Sequence, residues 1–84
     1  MKSARKMFEE LGWQYFYNDF IKSDCYSKNK KSDGYVPYYD NVIKFYLEGK
    51  RVYIDTNYKG IDMETLKAIN KQCEELGWLD DNSN

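Results

Sequence analysis

The side chains of this 84-residue chain that could act on another molecule are tyrosines, lysines, carboxylates and two thiols. Histidine is absent, which removes the commonest general base and the commonest zinc ligand together. Cys25 and Cys73 cannot complete a four-ligand metal site by themselves. Far apart in sequence and with no apolar leader after the basic start, they read as inert, reduced core residues rather than a disulfide. No G-x-x-x-x-G-K-[ST] loop is present and no nucleophile precedes a matching base. The expectation is a non-enzymatic binding protein with no catalytic residue, no metal and no cofactor.

Nine tyrosines are several times the usual share, so they are the first candidates for a contact surface. Tyrosine offers a large, stiff contact area and is enriched at interfaces. Tyr46 and Tyr53, joined by Tyr15, Tyr17 and Tyr26, are the expected partner-binding residues. The plainer reading is that tyrosine suits a half-exposed strand. Aromatics on an open sheet could also stack single-stranded nucleic acid, with Lys28, Lys30 and Lys31 as the basic loop. Charge weighs against that alternative: the net charge is −1, and Lys22, Lys28, Lys30, Lys31 and Lys44 interleave with Asp24, Asp33, Asp40 and Asp55. A protein partner is therefore expected, and nucleic acid is not. No apolar run approaches the ~20 residues of a membrane span, so no membrane is expected and the location is read as cytoplasmic. A weak homodimer stays open.

The elements that must position these residues are bounded by one string used twice. K-x-x-E-E-L-G-W occurs at Lys6 to Trp13 and again at Lys71 to Trp78. Ala4, Met7, Phe8 and Leu11 form one helical stripe, with Ser3 available as N-cap. Leu66, Ile69, Cys73 and Leu76 form another over 63–76, with Asp62 as N-cap and Ile61 and Leu66 as a hydrophobic staple. Each glycine then falls at C′ and each tryptophan at C″, which is a Schellman stop with an apolar clasp onto Phe8 or Cys73. The paired glutamates oppose the helix dipole. Arg5 with Glu9, Lys6 with Glu10 and Lys71 with Glu75 would offset this, and an acidic contact surface is the sharper alternative.

Between the helices the period falls to two. Ile43, Phe45 and Leu47 alternate with Val42, Lys44, Tyr46 and Glu48 up to a turn at Gly49-Lys50. A two-residue loop would pair Leu47 with Val52, Tyr46 with Tyr53 and Phe45 with Ile54. A first hairpin is expected from Trp13–Tyr17 and 20–27 around Asn18-Asp19, and 27–41 reads as a long connection. The result is an α+β fold: a helix, a four-stranded antiparallel meander and a helix, with both helices on one face of the sheet. Residues 1–79 form the domain, and 80–84 a flexible acidic and polar tail.

The pattern resembles small uncharacterised proteins of phages and prophages of Gram-positive bacteria. The resemblance covers nearly the whole chain. It lies in the opening A-R-K-M-F-E-E-L-G-W, the central I-K-F-Y-L-E-G-K-R-V-Y and the closing I-D-M-E-T-L-K-A-I-N-K-Q-C-E-E-L-G-W. It implies a setting, not a mechanism: a small protein inside a host cell that binds a host factor, including the components of defence systems.

Overall fold

In the computed structural model, residues 1–32 and 37–79 are described, with 29–32 and 37–40 described by backbone alone. The order is α1 (Ala4–Glu10), β1 (Gln14–Asn18), β2 (Ser23–Ser32), β3 (Pro37–Tyr46), β4 (Arg51–Asp55) and α2 (Met63–Glu75). The strands form one antiparallel sheet in the order β1-β2-β3-β4, so the α+β meander is present. No helix among the described residues is long and apolar enough to cross a membrane.

Both helices begin and end as their local residues require. Ser3 caps α1 by accepting from Lys6 N, and Asp62 caps α2 by accepting from Thr65 N at 2.8 Å. At the C-termini, Trp13 N donates to Phe8 O at 3.0 Å and Gly12 N to Glu9 O at 3.0 Å. Trp78 N donates to Cys73 O at 2.9 Å and Gly77 N to Glu74 O at 3.0 Å. These are the paired bonds of a Schellman motif, and the two glycines take the left-handed φ values it needs, +93° and +79°.

The core joins Phe8 and Trp13 from the first end, Tyr26, Ile43 and Phe45 from the sheet, and Ala68 and Ile69 from α2. Phe8 stacks on Tyr26 with centroids 3.9 Å apart, and its edge meets Phe45 and Trp13. The buried stripe of α2 is Thr65, Ala68, Ile69 and Gln72. Leu66, expected in the core, is 43% exposed. The helix is rotated so that small Ala68 approaches its neighbours and Gln72 Oε1 accepts from the Tyr26 hydroxyl at 2.6 Å.

The hairpin register departs from the expected one. Tyr46 pairs with Arg51, Phe45 with Val52, Lys44 with Tyr53 and Ile43 with Ile54. The turn has four residues, 47–50, with Gly49 and Lys50 both left-handed. Leu47 N donates to Lys22 O at 3.0 Å, which continues the β2–β3 ladder and takes Leu47 out of pairing with Val52. A slip of two residues leaves every side chain on its original face, so apolar alternation alone could not choose between the registers.

The first hairpin also has a four-residue turn. Asn18 Oδ1 accepts from Phe20 N and Ile21 N, closing a side-chain turn, so β2 starts at Ser23 rather than Phe20. The supposed long connection over 27–41 is largely strand. Lys28 pairs with Asn41, Lys30 with Tyr39, Lys31 with Tyr38 and Ser32 with Pro37. This part of β2 and β3 lies beyond the residues that pair with β1 and β4. Gly34 and the tail at 80–84 lie outside the described residues.

Candidate functional site

Strand alternation and register divide the tyrosines between two faces. Tyr15 and Tyr17 of β1, Tyr26 of β2, and Ile43 and Phe45 of β3 share one face. Phe16, Cys25, Lys44, Tyr46 and Tyr53 share the other. The five tyrosines named from the sequence therefore do not form one surface.

Tyr26 belongs to the core, 1% exposed. Tyr15 sits beside it, with centroids 5.4 Å apart, and its hydroxyl donates to Asp24 Oδ1 at 2.6 Å. The Arg5 guanidinium lies 3.7 Å over the Tyr15 ring. Burial pushes both phenols up to about 12, reinforced at Tyr15 by the bond to Asp24. Both hydroxyls thus stay protonated and donate their hydrogen bonds within the fold, and the group ties α1, β1, β2 and α2 together. Tyr17, at the edge of the same face, is 45% exposed.

On the opposite face Tyr53 is exposed and Tyr46 half-buried. Lys44 Nζ lies 5.4 Å from the centre of the Tyr53 ring, within cation–π range. Tyr46 and Tyr53 line a shallow depression of about 430 Å³ with Ile21, Glu48, Arg51 and Val52. Ile21 is a contributor that the sequence pattern did not single out, because it lies in a turn. The depression combines aromatic and aliphatic surface with one charge of each sign and can take an apolar side chain between polar contacts.

The basic cluster is not a loop. Lys28 is a half-buried residue of β2 whose Nζ lies 5.6 Å from the Trp13 ring centre. Lys30 and Lys31 continue the same strand, and their side chains are outside the described residues. Both thiols are free: Cys25 is buried, within 3.2 Å of Ser23 Oγ, and Cys73 is half-buried, with its pKa raised by burial. Among the described residues no group of three or more Cys, Asp or Glu is gathered to hold a metal ion.

No protein-family model matches the chain, and neither a curated protein nor a solved structure matches it.

Proposed function

We propose that this chain is a non-enzymatic protein-binding module whose contact surface is the sheet face carrying Tyr46 and Tyr53. In this reading both helices cover the Tyr26 face and leave the Tyr53 face open. The carrying observation is the depression between Tyr46 and Tyr53, where exposed aromatic surface adjoins Ile21, Arg51 and Glu48. Such a mixture of aromatic anchor, aliphatic wall and rim charges suits a desolvated protein contact. Tyr15, Tyr17 and Tyr26 leave the proposed contact set, since they belong to the other face.

The resemblance to phage and prophage proteins adds the setting: the cytoplasm of a Gram-positive host, with a host factor, such as a defence component, as the partner. The test is capture from host lysate by the parent and by a Tyr46→Ala, Tyr53→Ala double variant, each with and without nuclease. A nuclease-resistant protein partner lost in the folded double variant supports the proposal. A folded variant that keeps every partner overturns it, and partners that vanish with nuclease transfer the surface to single-stranded nucleic acid. Salt separates the same two readings, because phosphate contacts weaken steeply as salt rises and desolvated tyrosine contacts do not.

A further inference from the structure

Away from the tyrosine face, the connection between β4 and α2 helps to wall a second pocket, of about 220 Å³. Two successive left-handed residues, Asn57 and Tyr58, turn the chain there, and Lys59 N donates back to Thr56 O at 3.1 Å. The wall includes Lys59, Thr56, Asp62 and Thr65 from this side, with Trp13 and Lys28 facing them. Trp13 is 4% exposed. Its Nε1–H is the one buried side-chain N or O atom among the described residues that has no hydrogen-bond partner. An indole N–H can only donate, so the missing partner is an acceptor.

The rest of the wall narrows the class of acceptor. Lys28 and Lys59 set two cations against the single carboxylate of Asp62. That carboxylate is already engaged: Oδ1 accepts from Thr65 N at 2.8 Å, and hydrogen bonds from Thr65 hold its pKa below the usual value. The local balance is therefore positive, at the positive end of the 13-residue α2. A cation would meet two lysines, and an apolar group would leave the indole unpaired. A group of a few heavy atoms carrying one negative charge meets both conditions.

We propose that this pocket binds a small oxyanion, a carboxylate or a monoanionic phosphate, which accepts from the Trp13 indole and pairs with the Lys28 and Lys59 ammonium groups. The Lys28 side chain, whose Nζ lies over the indole, moves to admit the anion. The site is independent of the tyrosine face. Its ligand could belong to a free metabolite or to an acidic group of a larger molecule, which share this chemistry.

The test follows the indole directly. Uniformly ¹⁵N-labelled full-length protein is titrated with sodium acetate and, separately, with sodium phosphate, each against sodium chloride at matched ionic strength. A Trp78→Phe variant assigns the two indole signals. The expected result is a saturable downfield shift of the Trp13 indole proton with acetate or phosphate, no matching shift at Trp78, and affinity weakened about tenfold in Lys28→Gln or Lys59→Gln, the loss of one charge-assisted contact. Saturation by acetate alone assigns a carboxylate, and by phosphate alone a phosphate. A Trp13 signal that moves no further than in chloride overturns the proposal, as does a titration unchanged in both folded lysine variants. A water molecule satisfying the indole would give the first of these negative results.

Discussion

The two copies of E-E-L-G-W share a backbone and differ in what surrounds it. Each ends its helix with the same two hydrogen bonds and the same left-handed glycine. At the first end the residue three positions before the cap is Phe8, fully buried, and Trp13 packs edge-on against it with centroids 6.1 Å apart. At the second end that position is Cys73, half-buried, and the Trp78 ring has its centroid 6.3 Å from that of Phe45. Their glutamates differ as well. Glu10 pairs with Lys2 on the surface at 2.6 Å, not with Lys6. Lys71 pairs with Glu74 at 3.1 Å, which frees Glu75 to accept from Ala4 N at 3.0 Å. Arg5 lies over Tyr15. Glu75 thus opposes the dipole of its own helix yet caps the start of α1, where a carboxylate is favoured. One local stopping solution serves two tertiary tasks.

If burial rather than the cap sets the energetic weight, the tryptophans must separate the two ends most. Trp13→Ala removes a nearly fully buried side chain and should cost about 3–5 kcal/mol, the usual range for such a cavity. Trp78→Ala removes a half-buried ring and should cost roughly 1–2 kcal/mol, because less surface returns to water. Urea melts of both variants make the comparison, and equal losses would break it.

The next effect is alkaline and belongs to the first end, because Phe8 rests on Tyr26. Burial raises the Tyr26 hydroxyl from its ordinary value of 10.0 to about 12 in the folded chain. The folded state then holds the proton more tightly than the unfolded state. The stability linked to this proton is complete below pH 10 and is lost as pH rises toward 12, by up to about 2–3 kcal/mol. Urea midpoints measured across that range should fall in the parent more steeply than in Tyr26→Phe. Parallel slopes would place the titration elsewhere.

The glycines test the shared part. A Cβ at Gly12 would meet only Lys28 Cε, at 3.5 Å, and one at Gly77 would meet nothing within 4 Å. The penalty is therefore conformational at both, and Gly12→Ala and Gly77→Ala should each cost about 1 kcal/mol. Unequal losses would show that the two caps are not the same device.

What was legible in the sequence follows the range of the interaction. Helix ends were readable because Ser3, Asp62, Gly12 and Gly77 act on backbone groups within a few residues of themselves. The register of the second hairpin was not, since the bond from Leu47 N to Lys22 O joins turns far apart in sequence. Tyr26 could not be assigned to the core while tyrosine and phenylalanine occupied both alternating faces of the first hairpin. The β2–β3 extension was hidden because 28–32 and 37–41 carry no apolar alternation. The unpaired indole of Trp13 had no sequence signal, because Trp13 and Trp78 stand in the same five letters.

The smallest expected difference lies between the glutamates, and it bears most directly on why the string ends in acid. Glu10 and Lys2 are 42% and 60% exposed, so their bond competes with water and is screened by salt. Glu10→Ala should therefore change stability by no more than a few tenths of a kcal/mol. Glu75 instead serves the backbone N–H of Ala4, a residue with no exposed surface. Glu75→Ala withdraws that acceptor and should cost about 1 kcal/mol, with little dependence on salt. Glu75→Gln retains an amide oxygen that can accept the same bond, so it should recover most of the loss if the hydrogen bond matters more than the charge. Urea midpoints for the three variants at low and high salt separate these terms. Equal, salt-sensitive losses at both positions would return the acid pairs to a common role as surface charge.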